Sequence, residues 1–598
     1  MTITLIGPIL AGLAMAAVGS LVEPAQQYRL TQWLIAGLLA LSLGLVWGTG
    51  RMFSFGQTFF FGIGAYTYAV VTRNMDVGAD TLPAVIAGVA MGTLAAAALG
   101  YFMFYGGITD VYVAVVTLAA TLVAFTLMGA TGGAQWKIGD ALLGGYNGMP
   151  AIAPLTVGGD FLVEGDLLNT VIAICVVVFL LAKVFVRSNV GRVAIGVGVN
   201  EQRAELLGFD TRRYKLLLFA IGGAIAGLAG TLFSSNEGIV IPGVFGLAMA
   251  GPVVIWVMLG GRSVLSGAFV GALVLNYLSS NIDRWQVGDA RPFAGQTTLI
   301  LGIVLLIIVL TIPEGIVPAV TRLVAAPLSR DRRRRAVDDV IGDRIAQLPD
   351  LPAYGRARER REGPALEAKN LVKHFDGVRA VNGVSLSLEA TDLVCLLGPN
   401  GAGKSTVFNM LAGRYQPTSG DVLMAGKDVT KLRPHERARR GLGLKLQVPT
   451  IFTELSVGEN LWIAGFAGVG NRSGADRSRE ELLNWLGLQS KADTLAGSLS
   501  HGQQQTLEIA MVLATAPSLV LLDEPTAGMT HGETTRVAAL AQLLHERAAV
   551  LAIEHDMDFV RALNCPVVLL VNGEVFARGA WDELRRDKRV LDIYLGRE

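Results

Sequence analysis

Through residues 1 to 320, apolar positions run together in stretches long enough to cross a hydrocarbon core. They fall near 2–21, 31–48, 53–72, 82–104, 111–130, 168–186, 214–233, 246–260, 263–281 and 295–318. The pattern predicts a polytopic α-helical membrane domain of about ten spans, two of them short. Beyond about residue 365 the apolar runs shrink to four or five residues, as in Leu393–Leu397 and Leu519–Leu522, which reads as buried strand. The expected architecture is a membrane domain over 1–318, a charged linker over 319–364, and a water-soluble α/β domain over 365–598.

Composition sharpens this division. Hydrophobic residues make up 52% of the 598-residue chain, and mean hydropathy is +0.49, too apolar for an ordinary soluble protein. Only 29 of the 99 Asp, Glu, Lys and Arg residues lie in 1–320, so that part is about 9% charged and the rest about 25%, the globular norm. A net charge of +1 argues against nucleic acid as a partner. Cys175, Cys395 and Cys565 stand too far apart for a metal-ligand spacing or a disulfide framework, which fits a bacterial inner (plasma) membrane with a reducing cytoplasmic side. The first apolar run has no basic flank, so it reads as a retained helix rather than a cleaved signal.

The longest charged connection within the membrane part is 187–213, with Arg187, Arg192, Arg203, Arg212 and Arg213 against Glu201, Glu205 and Asp210. The positive-inside rule makes it cytoplasmic. Four spans, an even number, put the soluble part on the same face. Asn200 to Phe209 reads as a short helix ended by Gly208 and placed to touch that part; the plainer reading is a solvated loop that only fixes topology. Glycines such as Gly62, Gly64, Gly223, Gly227 and Gly230 read as close helix packing. The glycine-rich stretch 131–167 reads as a re-entrant or external element. In the linker, Arg332 to Arg335 suit anionic lipid headgroups.

The soluble part carries the chemistry. Leu393–Leu397 leads into Gly398, Pro399, Asn400, Gly401, Ala402, Gly403, Lys404 and Ser405, followed by Thr406 and a helical pattern. This is the strand, phosphate loop and helix context of G-x-x-x-x-G-K-[ST]. Backbone N–H groups of such a loop cradle ATP phosphates, Lys404 reaches the β- and γ-phosphates, and Ser405 suits Mg²⁺. Further on, Leu519–Leu522 ends in Asp523 and Glu524, acids at the carboxyl end of a strand. Asp523 suits the Mg²⁺ shell and Glu524 the base that orients or deprotonates the attacking water.

Leu499-Ser-His-Gly-Gln503 then resembles the signature motif of ATP-binding-cassette proteins, with His501 where glycine is commonest. Gln447 resembles the Q-loop glutamine, with a place in catalysis and metal binding. Glu554-His555-Asp556 resembles the switch segment, and Phe375 stands where an aromatic stacks on adenine. The resemblance implies two cassettes closing head to tail. Ser500, Gly502 and Gln503 would then contact ATP held mainly by the partner cassette, and His555 would sense the γ-phosphate.

The membrane part resembles permeases that import branched-chain amino acids, in Gly48-Thr-Gly-Arg-Met-Phe-Ser-Phe-Gly-Gln57 and onward to Tyr66, in Val190-Gly-Arg192 through Gly208, in Ala226-Gly-Leu-Ala-Gly230 and in Met258-Leu-Gly-Gly261. Glu554 to Val560, Ala527-Gly-Met-Thr530 and Ile255-Trp-Val257 look more like the branch for urea and short-chain amides. Thr530 stands where many cassettes have aspartate, and Gly196 to Asn200 lacks the Arg-Asp pair common before the coupling segment. The resemblance implies an importer subunit working with a second permease, a second ATPase (separate, fused, or as a homodimer) and an extracytoplasmic solute-binding protein. The competing readings are a fused exporter, disfavoured by the short loops, and a membrane-tethered ATPase that moves no solute.

Overall fold

The computed structural model describes residues 3–76, 78–108, 111–282, 297–323, 363–526 and 531–590. The chain divides into two compact units. One comprises Met1–Gly198 and Arg212–Asp331, the other Val199–Thr211 and Arg332–Glu598.

In the first unit each expected apolar run is a helix: α1 (Ile3–Gly19), α2 (Pro24–Gly50), α3 (Gln57–Arg73), α4 (Leu82–Tyr105), α5 (Val111–Gly129) and α6 (Glu164–Arg187). The connection after α6 holds α7 (Asn189–Val199) and α8 (Glu201–Leu206), and α9 (Thr211–Glu237), α10 (Leu247–Gly260), α11 (Leu265–Ile282) and α12 (Thr297–Thr311) follow. Among the described residues only α2, α4, α5, α6 and α9 are by themselves long and apolar enough to cross a membrane; α10 and α11 meet that standard together, bent by 116°. In the apolar window of α2, 72% of residues are buried, against 22% for α4, so α2 is a central helix and α4 keeps most of its surface for lipid.

The bend between α10 and α11 is a hairpin rather than a kink in one span. Along α2, a methyl group at Gly48 would meet the Arg262 carbonyl and one at Gly37 the Phe269 ring, while Trp33 packs edge-on against Tyr277. Hence α11 runs antiparallel to α2 from its first residues to its last. The end of the α12 region returns to the hairpin tip, where Gly261 faces Pro318.

The expected span 53–72 begins late. Residues 51–56 are not helical, and Gln57, the first residue of α3, lies within 3.2 Å of Ser42, two turns and more before the end of α2. Irregular backbone at that depth needs internal partners. Thr117 Oγ1 accepts from the Phe55 N–H at 3.1 Å, and Thr121 Oγ1 donates to the Phe55 carbonyl at 3.5 Å. Glycines let α3, α4 and α9 touch backbone to backbone: a methyl at Gly64 would overlap the Gly227 carbonyl, and one at Gly92 would approach Gly223 O to 2.9 Å.

The stretch 131–167 is an end cap rather than a re-entrant element. Its two-residue strands β1 (Lys137–Ile138) and β2 (Ala141–Leu142) pair with each other, as do β4 (Thr156–Val157) and β5 (Asp160–Phe161), while β3 (Met149–Pro150) pairs with β6 (Ile239–Val240) just past α9. Tyr68 and Thr81 bind its backbone at Ala153 and Thr156. It therefore covers the ends of α3 and α9 and the start of α4, at the end of α9 remote from Thr211.

The second unit contains two sheets. An antiparallel one has the order β11 (Lys427–Asp428), β10 (Ser419–Met424), β7 (Leu366–Phe375), β8 (Val378–Leu388). The other runs β12 (Leu442–Lys445), β13 (Leu519–Asp523), β14 (Ala549–Ile553), β9 (Leu393–Leu397), β15 (Pro566–Val571), β16 (Glu574–Ala580), parallel except for β16. The five residues of β9 and of β14 are all buried, which explains their unbroken apolar sequences. The carboxyl ends of β13, β14 and β9 thus open side by side, the usual place for a ligand in a parallel sheet. Of the linker, 324–362 lies outside the described residues, as does the 527–530 stretch containing Thr530.

Candidate functional site

The loop after β9 turns into the helix Lys404–Ala412 through Gly403, whose φ of +95° is left-handed. That turn aims the first N–H groups of the helix at the loop, an arrangement suited to anions. Asn400 and Ser405 are exposed, Pro399 and Thr406 half-buried, and Gly398 and Ala402 buried; a methyl on Gly401 would meet nothing. Lys404 folds back, donating from Nζ to the carbonyls of Gly398 (2.7 Å) and Pro399 (3.0 Å). Burial lowers its pKa, opposed by Glu524 and Asp523.

Asp523 and Glu524 stand at the end of β13. Glu524 adopts φ +41° and donates its N–H to the Ile553 carbonyl at 2.9 Å. A non-glycine residue held in that conformation is strained and is found where the surroundings over-determine it. Gln447, just beyond β12, donates from Nε2 to Glu524 Oε2 at 2.7 Å. His555 Nδ1 lies 3.7 Å from Glu524 Oε1 and 4.0 Å from Glu554 Oε2. The structure therefore gathers Gln447 and His555 around the Glu524 carboxylate.

Burial, and then repulsion from Glu524, pushes the Asp523 carboxyl up to about 6 from its ordinary 3.8. The folded state thus favours the protonated acid. The penalty for ionising it is absent below about pH 4, grows as pH rises from 4 to 6 and is complete above 6, at up to about 3 kcal/mol. Asp523→Asn is expected to raise the melting temperature at pH 8 and to leave it nearly unchanged at pH 3.5. Equal effects at both pH values in a scanning unfolding measurement would sink this assignment. The desolvated, repelled Asp523 carboxylate, the exposed Ser405 hydroxyl and the Gln447 amide are hard oxygen donors of the kind that fit Mg²⁺.

Ser500 caps the helix His501–Ala514. Its hydroxyl accepts from Gln503 N and the Gln503 side chain accepts from Ser500 N, a capping box. Among the described residues no hydrogen bond ties Ser500, Gly502 or Gln503 to the phosphate loop. Phe375 ends β7, 39% exposed, with Tyr415 edge-on at 5.4 Å and Lys373 over its ring.

Sequence reasoning missed several residues. Glu554 is fully buried and accepts from Thr526 Oγ1 at 2.6 Å, Thr526 N at 3.0 Å and the N–H groups of His555 and Asp556. It pins the loop after Glu524 to the segment bearing His555. Tyr415 was likewise invisible, because its partner Phe375 is distant in sequence.

The largest omission is Arg203. Val199–Thr211 packs within the second unit, where Asn200 caps α8 by accepting from Arg203 N at 2.9 Å, as the Asn200–Gly208 pattern predicts. The Arg203 guanidinium is 1% exposed and donates to the Leu444 carbonyl (3.1 Å), the Glu508 carbonyl (3.3 Å) and Glu508 Oε1 (3.4 Å). Glu508 also accepts from Thr450 Oγ1 at 2.7 Å, and Asn200 Nδ2 donates to Ile451 O at 3.3 Å. Arg439 Nε donates to Gly208 O at 2.7 Å, Leu206 joins the cassette core, and Phe209 stacks on Phe466. Burial holds Arg414 below the ordinary guanidinium value, opposed by Glu205 of α8 and by Asp523, so one cation feels both the helix and the carboxylate end of β13.

A phosphate loop, a strand-end acid pair and a signature-type helix on a mixed sheet define an ATP-hydrolysing cassette, here in one chain with a membrane permease. Residues 381–527 match the ABC transporter family and residues 26–310 the branched-chain amino acid transport system permease component family. The chain is 38% identical over 250 residues to the high-affinity branched-chain amino acid transport ATP-binding protein BraF of Pseudomonas aeruginosa, covering 39% of this chain and 98% of that one. It is 36% identical over 250 residues to LivG of Escherichia coli, a protein of the same description, with the same coverage. Among solved structures, the ADP conformation of an ATP-binding cassette of an ABC transporter is 30% identical, covering 39% of this chain and 99% of that one, with a TM-score of 0.35. The chain belongs to the ABC transporter family, as a permease fused to its ATP-binding subunit. It is a membrane protein whose cassette hydrolyses ATP in support of transport, and its relatives are components of multi-subunit systems.

Proposed function

We propose that the chain is the permease and ATPase subunit of a bacterial inner-membrane importer for small polar solutes, either branched-chain amino acids or urea and short-chain amides. Its cassette is cytoplasmic. It assembles with a second permease and a second ATPase, separate or fused, or else with its own copy, and takes solute from an extracytoplasmic binding protein. The observation that carries the reading is α8, a piece of the permease sequence embedded by Arg203 in the cassette's unit.

ATP is the substrate, and Mg²⁺ held through Ser405, Gln447 and Asp523 would offset charge on its phosphates. Lys404, released from its own loop carbonyls, pairs with the β- and γ-phosphates, while Phe375 stacks on the base. Ser500, Gly502 and Gln503 of a second cassette close over the nucleotide; among the described residues of their own chain their hydrogen bonds stay within their helix. Glu524 takes the proton of the attacking water, with His555 and Gln447 as orienting groups. Closure drives transport only if ATP binds the closed state more tightly than the open one.

The test is reconstitution with the companion subunits and binding protein in liposomes. The expected result is ATP-dependent uptake of leucine, urea or acetamide, with ATPase activity stimulated by the loaded binding protein. ATP consumption indifferent to every solute, with none entering, would favour a tethered ATPase.

A further inference from the structure

We infer that the permease unit holds a site for one anionic phospholipid in a slot between α1, α2, α6 and α11, with an acyl chain in the slot and the headgroup phosphate on Lys183.

The slot has a volume of about 450 Å³, and its shape follows from how the four helices run. A methyl at Gly12 would meet Val176 and one at Gly19 would meet Leu168, so α1 lies antiparallel to α6. Phe179 of α6 packs edge-on against Phe269 of α11 at 6.2 Å, and Cys175 Sγ lies 3.8 Å from the Leu34 carbonyl of α2. Lys183 and Ser266 therefore line one end of the slot, and Met15, Ile172 and Leu273 the other. The stretch of α6 from Ile172 to Lys183 gives the slot a length of about 16 Å.

A phospholipid has the same axial order. Lys183 stands one turn before Arg187, where the basic connection 187–213 begins, so its end of the slot is at headgroup level. Its Nζ lies 5.9 Å from the centroid of the Phe179 ring, which holds the ammonium at the slot rather than turned out to water. Among the described residues that line the slot none is acidic, and the wall beyond Lys183 and Ser266 is apolar. Gly7 and Ala11 of α1 line it and are exposed, which gives a hydrocarbon chain a lateral way in.

The shape disfavours other occupants. Spread over its length, the volume corresponds to a bore roughly 6 Å across, too narrow for a helix of about 10 Å and wide enough for an acyl chain. A small polar solute would leave its hydrogen-bonding groups unsatisfied against the apolar wall. Packed interiors hold few voids larger than a water molecule, so a space of this size within a bilayer takes in the surrounding chains. Lipid tails are as apolar as the wall, and burying one gives little selectivity. Selection falls to the Lys183 ammonium, whose attraction for an anionic headgroup is worth roughly fivefold in affinity.

The test is native mass spectrometry of the purified full chain in mild detergent, titrated with phosphatidylglycerol or with phosphatidylcholine of identical acyl chains. The wild-type chain should retain one phosphatidylglycerol about fivefold more tightly than phosphatidylcholine. Lys183→Gln should bring the two lipids within twofold of each other by weakening the anionic one. Gly7→Leu should weaken both at least fivefold by filling the slot, and the helix accommodates it, since a methyl at Gly7 meets nothing within 4 Å. Equal retention of the two lipids by the wild-type chain, a preference undiminished in Lys183→Gln, or binding undiminished in Gly7→Leu would each overturn the site. So would a dimer that retains no lipid, which would seat a second copy against α1 instead. No readout here depends on transport, so failure of the lipid site and failure of the importer reading are told apart.

Discussion

Glu524→Gln is expected to lower steady-state ATP hydrolysis by about 10²–10⁴-fold, the range for a positioned general base, while leaving ATP binding intact. The amide has the carboxylate's shape and cannot take a proton. The substitution should also relieve the repulsion that helps hold the Asp523 carboxyl high, so nucleotide affinity should rise rather than fall. The Gln447 Nε2 bond has an oxygen to go to in either case. Filter retention of labelled ATP on the reconstituted assembly, together with multiple-turnover phosphate release, checks both halves. Continued release of many phosphates per site would remove Glu524 from its proposed role and point to Glu554, whose Oε2 also lies 4.0 Å from His555 Nδ1. That alternative is already committed, since Glu554 is fully buried and occupied by Thr526, His555 and Asp556.

Arg203→Leu should uncouple the two activities. Removing one member of a buried ion pair costs about 3–5 kcal/mol, because the partner is left charged and dry, and that corresponds to a roughly hundred- to several-thousand-fold weaker docking of α8. Lys445 remains in the field of Glu508 and offsets part of this. Solute taken up per ATP hydrolysed should fall at least tenfold, with basal hydrolysis largely retained. Replacing both partners, Arg203→Met with Glu508→Leu, should recover most of the coupling, because two apolar groups of similar size orphan neither member of the pair and Lys445 keeps the field of Glu554 and Asp523. Uptake per ATP unchanged in the single variant would show that α8 is held by its backbone bonds and Leu206 alone.

These two sites also mark what the sequence shows and what it hides. Lys404, Asp523, Glu524 and His555 each end or follow a short apolar strand, so a few neighbouring residues announce their positions. Asn200 and Gly208 announce α8 in the same local way. Arg203 does not, because in a basic connection it looks like any solvated charge, and its partner Glu508 is 305 residues away. Glu554 reads as one acid in a motif, yet its work is done through Thr526. The late start of α3 is hidden for a related reason. Met52 to Phe55 is as apolar as a helix, and the distant hydroxyls of Thr117 and Thr121 help it to be non-helical. Hydropathy reports which residues avoid water, and it does not report where the backbone finds its partners.

The Arg203 and Glu508 pairing also bears on how such systems keep their parts sorted. A cell with several related transporters must stop permeases from recruiting foreign ATPases. A socket that buries an acid rejects any intruding helix without a cation at the matching position, and a permease carrying that cation is penalised by any socket lacking the acid. Joining both halves in one polypeptide makes their encounter certain, and the charge match would keep them faithful to each other if the gene were ever split.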